Sequence, residues 1–108
     1  MGELGYRRYQ EFPGGISWRL AATGMYIVLE QSSDMIGTNH DRHRPGLNHL
    51  AFHAGSRNTV ERLAADSTQH GWTILFADRH PFAGGPDHCA AYLADPDGYE
   101  IELVADHP

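Results

Sequence analysis

The sequence has little of the chemistry that several classes of protein need. It contains a single cysteine, Cys89, so no disulfide can form within the chain. Its net charge of -6 argues against a nucleic-acid partner, because binding phosphates requires clustered Lys and Arg side chains. No apolar run approaches the ~20 residues that span a bilayer, and the N-terminal segment MGELGYRRY lacks the apolar core of a signal peptide. We therefore expect a cytoplasmic protein that has neither a membrane nor a nucleic acid as its partner.

What the sequence does contain is a cluster of histidines. A length of 108 residues and a hydrophobic content of 41% predict a single domain with a genuine core. Four of the eight histidines fall between His40 and His53, and two of these, His49 and His53, lie four residues apart in the segment GLNHLAFH. On a helix this spacing would place both imidazoles on one face. On a strand they would be about 13 Å apart and could not bind the same ion.

Residues 6–31 predict an antiparallel meander. The segments YRRYQEF, ISWRLAA and MYIVLEQ are typical of short strands, and Pro13-Gly14-Gly15 and Thr23-Gly24 separate them as turns. Residues 32–46 are polar, contain Gly and Pro, and show no apolar period. They predict a loop, either a linker between two halves of the chain or a mobile flap.

The second half of the chain predicts the order strand, helix, strand, strand, strand. Ser56 is a good N-cap for a helix that ends at Gly71. WTILFA, HCAAYLA and YEIELVA follow as strands, and DPDG places Pro and Gly where a tight turn needs them. Because Gly46 and Gly55 leave too little room for a helix between them, GLNHLAFH is predicted to be a strand.

Alternation along these strands divides the side chains between two faces of a sheet. Leu50 and Phe52 are expected to face the helix, whereas His49 points to the other side. On the last strand Glu102 shares the face of His49, and the sequence leaves open which face Tyr92 takes. The prediction is a curved sheet whose concave side carries His49 and Glu102 and has room for a small ligand.

The segments GLNHLAFH and HPFAGGPDHCAAYLADPDGYEIELVA, with the capped helix between them, closely resemble the second module of the vicinal oxygen chelate superfamily. This superfamily includes glyoxalase I, bleomycin-resistance proteins, fosfomycin-resistance proteins and extradiol dioxygenases. The resemblance implies an α+β fold in which βαβββ modules form a curved, mostly antiparallel sheet. Residues 47–105 would be a complete second module, 32–46 a linker loop, and 6–31 a partial first module. The leading strand and helix of that first module are not found, so we expect it to be incomplete at its N-terminus.

The resemblance also implies a divalent metal ion (Fe, Mn, Ni, Zn or Mg) and a set of site residues. His49 matches the histidine ligand that opens the second module, and Glu102 matches the carboxylate ligand, with a catalytic role, on its last strand. Tyr92 falls where extradiol dioxygenases carry a catalytic tyrosine that contacts substrate. A further ligand should fall in MYIVLEQ, where Glu30 is the only carboxylate but Val28 has the expected position. The metal site that the resemblance implies is therefore incomplete in this chain.

Two functions follow from the resemblance. One is a metal-dependent lyase, isomerase or dioxygenase that acts on a small oxygen-rich substrate. The other is a metal-free protein of the bleomycin-resistance type that binds a small drug or metabolite, which could be cationic. The missing ligands and the net charge of -6 favour this second function. An exposed sheet edge beside the missing strand predicts a homodimer in either case.

Three residues near the predicted site are expected to lie outside it. His53 should be a rim or surface residue. His88 could reach the concave face, but we expect it to be solvated, as histidines at the start of a hairpin usually are. Cys89 has no companion at a useful spacing and is not expected to act as a nucleophile.

Overall fold

A computed structural model describes residues 1–37 and 39–106 of the chain. These residues form two compact units, one covering 1–37 and the other covering the described residues from 39 onwards. One α-helix and seven strands are present in the described residues. The predicted α+β fold is confirmed.

The first unit is a three-stranded antiparallel sheet that follows a short 3-10 helix, Gly2–Leu4. Its strands are β1 (Tyr6–Phe12), β2 (Gly15–Leu20) and β3 (Tyr26–Glu30), in that order across the sheet. The turn between β1 and β2 depends on Gly14, which has a φ of 85° and would place a Cβ 2.9 Å from the carbonyl oxygen of Gln31. Only glycine fits such a position without strain.

The second unit has the order strand, helix, strand, strand, strand. Its elements are β4 (His49–His53), α1 (Arg57–Ser67), β5 (Thr73–Leu75), β6 (Ala90–Ala94) and β7 (Glu100–Val104). The order across the sheet is β4-β7-β6-β5, with β4 parallel to β7 and the other pairs antiparallel. The parallel pair brings the first and last strands of the unit together.

The helix covers one face of this second sheet. It begins at Ser56, whose side-chain oxygen accepts a hydrogen bond of 3.2 Å from the backbone N–H of Thr59. Val60 and Ala64 are buried on the side of α1 that packs against β6, where Leu93 is 2% exposed. Burying a side chain such as Val60 or Leu93 stabilises the fold by about 1.5–3 kcal/mol. The apolar face is thereby used for the core, and the opposite face remains for the polar residues.

The strand predicted for residues 72–77 ends earlier than expected. Phe76 has a φ of 54°, a left-handed conformation that a strand residue cannot take. The chain therefore leaves the sheet after Leu75 and returns only at Ala90. The intervening residues lie beside the polar face and contribute side chains to it. No helix among residues 1–37 and 39–106 is both long enough and apolar enough to cross a membrane.

Candidate functional site

The carboxylate of Glu102 lies at the centre of a polar cluster on the face of the second sheet away from α1. Glu102 is 6% exposed. Its Oε1 is 3.0 Å from Nε2 of His49, and its Oε2 is 2.6 Å from Nε2 of His88. A buried carboxylate needs hydrogen-bond donors, and here each oxygen has one imidazole. The structure thus brings together the predicted His49 and Glu102 and adds a second histidine.

Sequence reasoning missed His88, which was expected to be solvated. Its side chain is 41% exposed, but its ring nitrogen is hydrogen-bonded to Glu102. The signal for this contact was available in the sequence. His88 precedes Ala90 by two residues and Tyr92 by four. If the alternation of β6 is continued towards the N-terminus, His88 therefore lies on the same face of the sheet as Tyr92.

Tyr92 lies directly opposite Glu102 in the pairing of β6 with β7, so both side chains take the same face. The ring of Tyr92 contacts the rings of His49 and Phe76 edge-on. The centroid distances are 6.1 Å to His49 and 5.6 Å to Phe76. Burial raises the pKa of the Tyr92 phenol, and the charges of Glu102 and Glu100 raise it further. The phenol therefore stays protonated and can act as a hydrogen-bond donor.

The backbone of Gly84 closes the cluster beside Tyr92 and His88. A Cβ added at Gly84 would lie 2.7 Å from the Tyr92 hydroxyl and 2.7 Å from Cδ2 of His88. Real Cβ atoms do not approach other atoms so closely. The absence of a side chain at residue 84 thus allows both rings to take their places.

The other nitrogen of His49 also faces oxygen atoms. Nδ1 is 2.7 Å from Oδ1 of Asn48 and 3.4 Å from Oε2 of Glu100. Glu100 is 4% exposed, and its Oε1 is 2.8 Å from NH1 of Arg42. Among residues 1–37 and 39–106 no N–H points at this oxygen, so the contact with Arg42 is an ion pair rather than a hydrogen bond. The His49 ring can therefore donate a hydrogen bond from each of its two nitrogens. Alternatively, it can donate from Nδ1 and bind a metal ion through Nε2.

The remaining candidates stay apart from this cluster. His53 is on the same face of β4 as His49, but its side chain is 88% exposed and pairs with Asp106, at 3.8 Å, rather than with Glu102. Cys89 is a free thiol that is 2% exposed. Glu30 and Val28 belong to β3 of the first unit, where both are exposed.

Comparison with known protein families gives a match over most of the chain. Residues 21–103 match the model of the Glyoxalase/Bleomycin resistance protein/Dioxygenase superfamily. The chain belongs to the glyoxalase/bleomycin resistance/dioxygenase superfamily. The resemblance seen in the sequence is thereby confirmed.

Individual proteins are also similar to this chain. The uncharacterized protein YqjT of Bacillus subtilis (strain 168) is 44% identical over 104 residues, which are 95% of this chain and 80% of YqjT. A crystal structure from Bacillus halodurans, described as that of a candidate glyoxalase, is 46% identical, with a TM-score of 0.87, over 96% of this chain and 77% of that one. A glyoxalase/bleomycin resistance protein from Albidiferax ferrireducens T118 shares the fold at 21% identity, with a TM-score of 0.71, over 96% of this chain and 78% of that one.

Superfamily proteins often bind divalent metals, so the donor set can be tested for such an ion. Two ligands that are each about 2.1 Å from a metal and at right angles are about 3.0 Å apart. The separation of 3.0 Å between His49 Nε2 and Glu102 Oε1 fits this geometry. Within residues 1–37 and 39–106, however, no three His, Cys, Asp or Glu side chains are arranged to hold an ion. The cluster therefore fits two positions of a coordination shell, whereas a catalytic site commonly has about three protein ligands.

Proposed function

We propose that the second sheet carries the catalytic site of a metal-dependent superfamily enzyme, a lyase, isomerase or dioxygenase, that acts on a small oxygen-rich substrate. The observation that carries this proposal is the buried carboxylate of Glu102, which faces Nε2 of His49 with one oxygen and Nε2 of His88 with the other. Burying an ionised group is costly, and such groups occur preferentially where chemistry requires them. His49 and Glu102 would supply two protein ligands to the ion.

The bound ion would act as a Lewis acid towards paired oxygens of the substrate. The side chains around it have separate tasks. His88 donates a hydrogen bond to Oε2 of Glu102, which leaves Oε1 directed at His49. Tyr92, whose raised pKa keeps the phenol protonated, would donate a hydrogen bond to a substrate oxygen. Phe76 packs edge-on against Tyr92 and would hold the phenol ring in place.

Titration of metal-stripped protein with Ni2+, Co2+, Mn2+ and Zn2+ tests the proposal. Wild type should bind one ion, and His49→Ala and Glu102→Gln should each weaken binding by at least about 10-fold. The matched control is His53→Ala, because His53 shares the strand and face of His49 but lies outside the cluster. It should bind as wild type does. Equal affinity in wild type and His49→Ala would show that this cluster does not hold the ion.

A second candidate function is metal-free binding of a small cationic molecule. It is favoured by the hydrogen bonds of Glu102, because each carboxylate oxygen already has one imidazole as its partner. The cluster thus forms a complete polar lining without an ion. Glu100 and Glu102 provide negative charge for a cationic ligand. Calorimetry with the same metals and with cationic glycopeptide drugs separates the two functions. Drug binding that Glu102→Gln abolishes, in a protein that binds none of the metals, would support this second function.

The proposal includes a homodimer. The edge strand β3 of the first unit exposes large apolar side chains, with Tyr26 58% exposed and Leu29 55% exposed. An edge strand with apolar side chains tends to associate unless another chain covers it. A second copy of the chain would cover this surface.

A further inference from the structure

Arg42 lies outside the polar cluster but makes two contacts that lead to the same nitrogen of His49. The first runs through its backbone, where the carbonyl oxygen of Arg42 accepts a hydrogen bond of 3.3 Å from Nδ2 of Asn48. An amide side chain has one donor end and one acceptor end. Because Nδ2 is directed at Arg42, Oδ1 of Asn48 is directed at Nδ1 of His49, at 2.7 Å.

The second contact runs through the guanidinium group. NH1 of Arg42 is 2.8 Å from Oε1 of Glu100, and Oε2 of Glu100 is 3.4 Å from Nδ1 of His49. Glu100 lies directly opposite His49 in the pairing of β4 with β7 and is almost completely buried. A buried ion pair is often no more stabilising than apolar residues of similar size. The stability of the fold therefore does not explain a carboxylate at this position.

The loop that carries Arg42 is held in place at both ends. The ring of His40 stacks on that of Tyr99, with centroids 4.6 Å apart and planes 2° from parallel. The backbone N–H of His40 donates to the carbonyl of Asp97 at 2.7 Å, and its Nε2 is 2.9 Å from the carbonyl oxygen of Leu47. Arg42 itself lies over the ring of Phe76, 5.6 Å from its centroid. These contacts fix the guanidinium beside Glu100.

We propose that Arg42 is a positioning residue that acts on His49 through Asn48 and Glu100. The two acceptors receive the hydrogen bond of Nδ1–H and orient the ring, so that Nε2 is directed at Oε1 of Glu102, to which it donates when no ion is bound. The inference rests on the proposed function, because orienting Nε2 matters most where His49 is a metal ligand. Groups that accept a hydrogen bond from a ligating histidine fix its tautomer and raise its basicity.

The test compares Arg42→Met with Arg44→Met in the full chain. Arg44 is two residues away in the same loop, is exposed, and pairs with Asp41, at 3.5 Å, rather than with Glu100, so its variant is a matched control. The first readout is the long-range proton–nitrogen NMR spectrum of the histidine rings, with the His49 signals identified by their loss in His49→Ala. The second readout is the affinity for Zn2+ by calorimetry.

In wild type and Arg44→Met, the NMR spectrum should show that Nδ1 of His49 carries a proton. Arg42→Met should shift the His49 signals, because Glu100 is no longer held beside the ring, and should weaken Zn2+ binding by about 10–100-fold. Arg42→Lys, which keeps a charge beside Glu100, should recover part of the difference. Because Arg42→Met keeps the backbone carbonyl that accepts from Asn48, an unchanged His49 spectrum in this variant would overturn the role of the guanidinium and of Glu100. A changed spectrum in a protein that never binds Zn2+ would uphold the positioning role and reject the metal instead.

If circular dichroism shows that Arg42→Met does not fold, two variants of the exposed Asn48 decide the question. Asn48→Asp keeps an oxygen facing His49 and should preserve the ring signals, whereas Asn48→Ala removes the acceptor and should change them. Identical His49 spectra in both variants would overturn the proposal.

Discussion

His88 and Glu102 are separated by fourteen residues, yet Nε2 of His88 is 2.6 Å from Oε2 of Glu102. The hairpin formed by β6 and β7 brings them together. His88 lies four residues before Tyr92, so alternation along the strand directs both side chains to the face that carries Glu102. The contact supplies one of the two partners of a carboxylate that is 6% exposed. His88 is therefore part of the polar cluster as much as His49 is.

Replacing His88 should weaken both the fold and the cluster. In His88→Ala, Oε2 of Glu102 loses its partner, and an unsatisfied buried acceptor costs about 1–3 kcal/mol. Because the side chain of His88 is 41% exposed, water would offset part of this cost, so we expect about 1 kcal/mol in urea unfolding. His70→Ala, at an exposed histidine after α1, is the control and should leave the unfolding free energy unchanged. A loss in His88→Ala no larger than in this control would contradict the structural role of the contact.

Gly84→Ala should disturb the cluster with little effect on stability. The added methyl group would meet the Tyr92 hydroxyl and the His88 ring, which are ends of side chains and can move aside. We expect an altered environment of Tyr92, measured by its ring signals in NMR, and at least a few-fold weaker ligand or metal binding, with an unfolding free energy close to that of wild type. Gly2→Ala is the control, since a Cβ there meets nothing within 4 Å. Unchanged Tyr92 signals in Gly84→Ala would show that the rings do not approach residue 84.

The sequence predicted the fold well because hydrophobic alternation, a capped helix and turn residues all pointed to the same order of elements. His49 and Glu102 could be paired from the sequence, since strand alternation and the family motif agreed on their positions. The roles of Arg42 and Glu100 could not be foreseen. Arg42 lies in a loop without periodicity, and its contact with Glu100 depends on how that loop folds back over the sheet. The early end of β5 could not be predicted either, because phenylalanine rarely takes the left-handed backbone conformation that Phe76 has.

The exposed edge of the first unit predicts association in solution. If a second copy covers β3, light scattering should give twice the monomer mass, and Leu29→Lys should shift the protein towards monomer by placing a charge in the interface. Glu30→Lys is the control, because it also changes the charge of an exposed residue in β3 but removes no apolar surface. A wild-type protein that stays monomeric at high concentration would rule out the homodimer.

Tyr92 should remain a neutral phenol at pH values where an ordinary tyrosine ionises. Burial, and then the charges of Glu102 and Glu100, raise its pKa above the usual value of about 10. A raised pKa in the folded state means that the stabilisation by the neutral phenol is complete below about pH 10 and is lost as the pH rises through the folded value. In a titration of phenolate absorbance, Tyr92→Phe should remove a component that ionises above about pH 10, and Tyr26→Phe should leave that component in place. Urea unfolding above about pH 10 should show a smaller loss of stability in Tyr92→Phe than in wild type. A titration curve from which Tyr92→Phe removes only an ordinary component would show that Glu102 and Glu100 do not act on this phenol.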